Sequence, residues 1–210
     1  MAHLLHLDSS LRTTASRSRA LTARFADRWQ QANPDGAITY RDLSADPLPH
    51  LDEVAFMANV TAPDERTPAQ RAARALTEQV AGEVLAADTV VVGVPLYNYG
   101  PPTSFKAWLD RIVVPDLTIG ALADKRFVVV TACGGGYGEG TPRHGWDHRE
   151  PWLRHALSTL GVTEPIFVGA ELTLARESPA MAHLDLGAAE DASFAAAEAA
   201  IDALVPLPVH

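Results

Sequence analysis

The sequence predicts an α/β fold, an open parallel sheet with helices on both faces, and three observations carry the prediction. Strand-like and helix-like segments alternate five times along the 210 residues. Two of the strand-like runs, Asp88–Val94 and Arg126–Thr131, are continuous β-branched stretches of the kind a central strand needs when both of its faces are covered. The first, third and fourth strands each empty into a loop rich in hydroxyl, aromatic or glycine residues. No repeat or linker divides the chain, so one domain over residues 1–210 is expected.

Taken in order, residues 3–8 form a short apolar run that stops at Ser9 and Ser10, as a buried strand ending in a polar loop would. From Ser18 onward Leu21, Phe25 and Trp29 recur every fourth residue, an amphipathic helix, which Asn33-Pro34-Asp35-Gly36 ends. Residues 37–41 alternate weakly and read as an edge strand. Leu43 to Glu65 carries three prolines and no sustained period, and reads as a long surface connection with one helical turn at most. Thr67, Pro68 and Gln70 then supply an N-cap, a first-turn proline and a capping-box partner for a helix running through Leu76, Val80 and Val84. After the third strand, Phe105, Leu109 and Ile112 mark a helix over residues 103–113. Residues 152–160 read as a helix, 164–168 as a last short strand, and 188–204 as an alanine-rich helix whose apolar face carries Phe194, Ala197, Ile201 and Leu204.

Composition narrows the function. At 47% hydrophobic and 20% charged residues the chain is too apolar to be disordered throughout. Seventeen Lys and Arg against twenty-six Asp and Glu leave a net charge of −9, which repels polyanions, so nucleic acid is not an expected partner. A single cysteine, Cys133, allows no internal disulfide and no Cys-rich metal site, so redox chemistry would have to come from a bound cofactor. No apolar run reaches the roughly 18 residues of a membrane span, and no basic-then-apolar leader opens the sequence. No membrane partner and a cytoplasmic location are expected.

In an open parallel sheet, ligands bind beyond the carboxyl ends of the strands, near the point where strand order reverses. Three segments would meet there. Ser9 to Ser18 brings hydroxyls and two arginines to a helix N-terminus, a phosphate cradle in which Ser16 or Ser18 could equally serve only as a cap. It contains neither GxxxxGK[ST] nor GxGxxG, which disfavours an NTPase or a dinucleotide-binding Rossmann site. Pro95 to Pro102 gathers Tyr97, Asn98 and Tyr99, able to pack on a flat ring and satisfy its edge. Gly134 to Gly140 lets backbone approach a ligand closely.

Together these segments resemble the FMN-dependent NADH-azoreductases, within the wider flavodoxin-like NAD(P)H:quinone oxidoreductases. Leu96-Tyr97-Asn98-Tyr99, followed by Thr103-Ser104-Phe105-Lys106-Ala107-Trp108-Leu109-Asp110-Arg111, is similar to that family's flavin loop and following helix. Ser10 and Ser16-Arg17-Ser18 fall where the family binds the FMN phosphate, and Arg41-Asp42-Leu43, Pro47 and Pro49 match the segment after the second strand. The resemblance implies a flavodoxin-like, doubly wound five-stranded sheet in the order 2-1-3-4-5. It also implies a homodimer with a flavin site at each interface, and electron transfer from NADH or NADPH through FMN to a quinone or azo compound, with no catalytic side chain. It places Ser10, Ser16, Arg17 and Ser18 on the phosphate and Leu96, Tyr97, Asn98 and Tyr99 on the ribityl chain and ring. Ala132, Cys133, Gly134 and Gly135 would line the pyrimidine edge.

Two departures stand out. Ala132-Cys133 replaces more polar residues of the family, and a stretch of roughly a dozen residues that covers the flavin in many members is missing after Arg111, so the roof over the site must be built differently. Two other readings stay open: an FMN electron carrier that NAD(P)H does not reduce, and a relative of the fold that has lost FMN. His144, Asp147, His148, Glu150 and His155 lie close in sequence, but Gly145 and Pro151 argue for a loop, and no metal site is expected. The two histidines could instead orient an acceptor. Cys133 reads as a small buried residue, and Trp29, Trp108 and Phe194 as core.

Overall fold

In the computed structural model, which describes residues 1–205, the five expected strands form one all-parallel sheet in the order β2-β1-β3-β4-β5. The strands are β1 (His3–Asp8), β2 (Ala37–Asp42), β3 (Thr89–Pro95), β4 (Arg126–Ala132) and β5 (Ile166–Ala170). The last five residues of the 1–210 span expected as one domain lie outside the described residues. Every residue of β3 is buried, as its β-branched run demands.

Alternation along the strands divides the core. Leu5, Leu7, Val90, Val92, Phe127 and Val129 face a layer of α3 (Pro68–Ala86), α4 (Thr103–Ile112) and α5 (Arg149–Thr159), where Val80, Val84, Phe105, Trp108, Leu153 and Leu157 meet them. Leu4, Val91, Val128 and Val130 face the other way, onto Leu21, Phe25 and Trp29 of α1 (Arg17–Ala32) and Ala197 and Ile201 of α6 (Gly187–Leu204). The capping box opening α3 forms as read: Gln70 N–H donates to Thr67 Oγ1 at 3.2 Å and Thr67 N–H to Gln70 Oε1 at 2.8 Å.

Three boundaries differ from the sequence reading. The long connection contains a two-turn helix, α2 (Glu53–Val60), capped by Asp52, whose carboxylate accepts the Ala55 N–H at 2.8 Å. Its sequence, apolar nearly all round, carries no amphipathic period to detect. Buried Arg111 ties the stretch before it to α4 by donating to the Pro49 carbonyl at 3.3 Å. Helix α5 begins three residues before Trp152, because the Asp147 carboxylate accepts the Arg149 N–H at 2.9 Å and Pro151 sits in the first turn, where its missing N–H costs nothing. The last strand starts at Ile166 rather than 164, since Pro165 has no N–H to give a ladder.

Candidate functional site

Strand order reverses between β1 and β3, and beyond the carboxyl ends of β1, β3 and β4 lies a cavity of about 410 Å3, within the size range of small-molecule sites. Ser10, Ser16, Arg17 and Ser18 line it from the β1–α1 loop, Leu96 and Tyr97 from the loop after β3, and Ala132, Gly134 and Gly135 from the end of β4. Nine of the twelve residues expected at a flavin are therefore brought together; Asn98, Tyr99 and Cys133 are not on its lining.

The β1–α1 loop is shaped by its own helix. Ser16 caps α1, its Oγ accepting the Arg19 N–H at 3.4 Å, and the first intrahelical bond runs from Ala20 N–H to the Ser16 carbonyl at 3.1 Å. The N–H groups of Arg17 and Ser18 precede that bond, at the positive end of the helix, and both residues line the cavity. Arg19 holds the loop from behind. Its guanidinium donates to the Ser10 carbonyl at 2.8 Å and the Arg12 carbonyl at 3.0 Å while gripping both oxygens of Asp42 at 2.7 and 2.8 Å. The bond from Arg19 holds the Asp42 carboxyl below its ordinary range. Around the pair, Asp8 accepts from Thr22 at 2.8 Å and from Tyr40 at 3.1 Å, and burial together with Asp8 pushes the Tyr40 phenol up to about 12.

The loop after β3 turns on two residues. Tyr97 and Gly100 exchange backbone bonds at 2.9 and 3.0 Å, and Asn98 and Tyr99 between them are both left-handed, with φ of 48° and 67°, as in the twisted turns that favour Asn-Gly. The Tyr97 hydroxyl reaches back to the first loop, 3.2 Å from Ser10 Oγ and accepting the Leu11 N–H at 3.2 Å. Tyr99 instead serves the loop before α5: its carbonyl accepts the His148 N–H at 3.1 Å and its ring meets Trp146 edge-on at 5.8 Å.

Cys133 is buried, and desolvation pushes its thiol up. Its sulfur lies 3.5 Å from Nη2 of buried Arg149, which also donates to the Val94 carbonyl at 2.8 Å and to Asp147 at 2.6 Å. The residue thus joins the ends of β3 and β4 to α5 beneath the cavity.

The roof, which the sequence left without an assigned segment, is the long connection between β5 and α6. Thr173 N–H donates to the Cys133 carbonyl at 3.0 Å, and Leu172 and Leu174 N–H to the Gly135 and Gly134 carbonyls, each at 3.2 Å. This lays Thr173, Leu174, Ser178, Met181 and Leu184 along the cavity. An ion pair of Arg12 with Glu177 at 3.0 Å closes it onto the first loop, and buried Glu190 of α6 pairs both with Arg17 of α1 at 3.1 Å and with Arg176 of the connection at 3.2 Å. The roof residues and Arg143 follow no periodic or motif signal that sequence reasoning could use, whereas Tyr137, also on the lining, falls within the Gly134–Gly140 segment expected there. A Cβ on Gly134 would come within 2.7 Å of Leu174, so the glycine there lets the roof approach the sheet. His144 and His148 sit in a loop with Gly145 at φ 82°, away from this cavity.

A phosphorylated flavin fits this donor set. The hydroxyls of Ser10, Ser16 and Ser18, the first turn of α1 and Arg17, itself paired with Glu190, line the cavity together with apolar Leu96, Ala132 and Leu174 and the aromatic Tyr97.

Residues 2–200 match a family described as having a flavodoxin-like fold. An FMN-dependent NADH:quinone oxidoreductase of Frankia casuarinae is 47% identical over 204 residues, covering 94% of this chain and 97% of that protein. One of the same name from Kineococcus radiotolerans is 45% identical over 206 residues, covering 94% and 97%. Among solved structures, an azoreductase from Bacillus anthracis str. Sterne superposes with a TM-score of 0.85 at 20% identity, covering 98% of this chain and 99% of that one. An FMN-dependent NADH-azoreductase from Bacillus anthracis str. Ames Ancestor, in complex with FMN, gives 0.78 at 20% identity, covering 97% and 99%. At such identities the two structures speak for the fold.

Proposed function

The chain belongs to this flavodoxin-like family, and on that premise we propose that it is an FMN-dependent NAD(P)H oxidoreductase that reduces quinones or azo compounds. The observation that carries the reading is the convergence of Ser10, Ser16, Arg17 and Ser18 with Leu96 and Tyr97 around one cavity at the point of strand reversal. The relatives named for NADH:quinone reduction, similar over nearly their whole length, support NADH as donor and a quinone as acceptor.

Bound FMN would supply a two-electron relay, taking hydride from the nicotinamide and passing reducing equivalents to the acceptor. Overall, NADH and one proton convert a quinone to its hydroquinone. The chain holds and shields. Ser16 and Ser18, with the N–H groups of Arg17 and Ser18, would bind the phosphate, and Ser10 would orient it through Tyr97. Leu96, Tyr97, Asn98 and Tyr99 would shape the ring's bed, with Tyr97 in contact and the turn at Asn98 and Tyr99 setting its angle. The backbone of Ala132, Cys133, Gly134 and Gly135 would follow its edge, and the roof would keep water away.

A homodimer is part of this reading. Helix α2 turns Phe56, Met57 and Val60 to solvent, an apolar face that a second copy would cover. A cytoplasmic location also belongs to it; among the described residues no helix is long and apolar enough to cross a membrane.

The test is an anaerobic titration of FMN-incubated, desalted protein with NADH and then NADPH, followed at the flavin's visible band. Bleaching, reversed by a quinone, is expected. Retained flavin that neither nucleotide bleaches would replace the reading with that of an electron carrier, and failure to retain flavin would remove FMN from it.

A further inference from the structure

A second chamber of about 440 Å3 adjoins the cavity. Its walls are Thr141, Pro142, Leu172, Met181, Leu184 and Leu186, and it shares Gly135, Arg143, Met181 and Leu184 with the first cavity. We infer that this chamber is a subsite for the apolar side chain of the acceptor, so that the preferred substrate is a quinone carrying a prenyl or alkyl tail. The inference rests on the quinone-reductase reading above.

Continuity is the first argument. The two share Gly135, Arg143, Met181 and Leu184 on their borders, so a molecule whose ring lies in the first cavity has the second within reach of a ring substituent. The lining is the second: apart from Arg143 the second chamber offers no charged side chain, only leucine, methionine, proline, threonine and glycine. That suits a hydrocarbon and poorly suits the ribose and phosphates of a nucleotide donor. Arg143 stands at the junction with its guanidinium 5.8 Å from the Tyr137 ring. Among the described residues no carboxylate pairs with it, which leaves its N–H groups for a carbonyl oxygen of a ring seated there.

Leu172 supplies an independent sign. Its backbone is left-handed, at φ 60°, a conformation that glycine or asparagine adopts with little strain and leucine does not. Leucine at such a position is explained by what its side chain does, and that side chain forms the chamber wall.

The test compares menadione with its 3-geranyl homologue, which have the same naphthoquinone ring, as acceptors for the FMN-loaded enzyme with NADH. The tailed quinone is expected to show a KM at least tenfold lower at similar kcat, since each buried methylene adds to affinity. Leu172→Asn, which keeps a residue at ease in left-handed backbone, paired with Leu186→Asn, should erase most of that advantage. Menadione kinetics, the NADH KM and FMN retention should stay within twofold of the parent. Equal kcat/KM for both quinones in the parent enzyme, a comparison that needs no variant, would overturn the subsite while leaving quinone reduction standing. A rise in the NADH KM in the double variant would give the chamber to the donor, and a changed sedimentation profile would give it to a second copy; either overturns the proposal. Reduction of neither quinone would sink the functional reading and the subsite with it.

Discussion

The two long walls of the cavity are held by different means. The β1–α1 loop is fixed from behind by charge: Arg19 clamps the Ser10 and Arg12 carbonyls and pairs with Asp42, with Asp8, Thr22 and Tyr40 packed round it. The β5–α6 connection has one charged tie near its centre, Arg176 with buried Glu190 at 3.2 Å, and there the arginine is half in solvent rather than enclosed like Arg19. Otherwise it hangs from three backbone bonds and the Thr173 hydroxyl to residues 133–135 and from the exposed pair of Arg12 with Glu177, with Leu174 and Leu184 partly in solvent. A wall anchored by a charged network presents its N–H groups in one fixed geometry, as recognition of an invariant phosphate requires. A wall suspended by backbone bonds can vary its side chains without disturbing the fold, as acceptor selection requires.

The largest effect that would test this contrast comes from Arg19→Ala. It removes two bonds to loop carbonyls and leaves Asp42 only the N–H groups of Ser44 and Ala45, and bonds to charged groups are worth about 1.5–3 kcal/mol each. FMN affinity, read by quenching of flavin fluorescence, should weaken roughly 100-fold, equivalent to about 2.7 kcal/mol. Riboflavin, which lacks the phosphate, should lose no more than about threefold. Equal losses for both ligands would mean that Arg19 supports the fold generally and that the anchored wall has no special task. The same pair bears on acid stability: because the Asp42 carboxyl is held below its ordinary 3.8, its stabilisation is present above that pH and is lost as pH falls through the depressed value.

Ser16→Ala comes next. The cap accepts the Arg19 N–H and Ser16 lines the cavity, so the change should cost about 1 kcal/mol in urea unfolding and weaken FMN binding about tenfold. Loss of stability with unchanged FMN affinity would reduce Ser16 to a helix cap. On the suspended wall, Leu174→Ala should move FMN affinity less than about threefold, because Leu174 is 37% exposed and holds no polar group toward a phosphate. A tenfold loss there would erase the distinction between the walls.

The same contrast governs what could be read in advance. The anchored wall was legible because a buried strand must end somewhere, and Ser16, Arg17 and Ser18 announce a helix start directly after it. The strand order followed from resemblance to a family, since β-branched runs reveal that Thr89–Pro95 and Arg126–Ala132 are central but not which strand neighbours which. The roof was illegible: its residues hold position through backbone bonds to Cys133, Gly134 and Gly135, and such bonds leave no side-chain pattern. Arg19 carries no signal of its own for a related reason, since by spacing it falls off the apolar face of Leu21, Phe25 and Trp29, where any polar residue would serve. Only the fold shows that its side chain turns toward Asp42 at the end of β2. Family resemblance puts Cys133 beside the ring, whereas the end of β4 directs its sulfur toward Arg149.

The smallest effect sharpens the account of the anchored wall itself. His6 lies in β1 just before that loop, buried, its ring 4.9 Å edge-on from Tyr40 and its Nε2 3.5 Å from the Asp8 carboxylate without a hydrogen bond. Burial lowers its pKa below 6.5 more than Asp8 and Asp27 raise it, and Arg19 pushes in the same direction as burial. The unfolded chain therefore binds a proton at a pH where the folded chain does not. The contribution of His6 to stability is complete above 6.5 and declines as pH falls from there toward the depressed value. Between pH 7 and pH 5.5 the Tm of the parent should drop more steeply than that of His6→Gln, by a few degrees at most, since about 1 kcal/mol moves the Tm of a chain this size by about 2–4 °C. A steeper drop in the variant would mean that the Asp8 carboxylate outweighs burial and that His6 is charged. The anchored wall would then contain a cation beyond Arg19, and its rigidity would be greatest in mild acid.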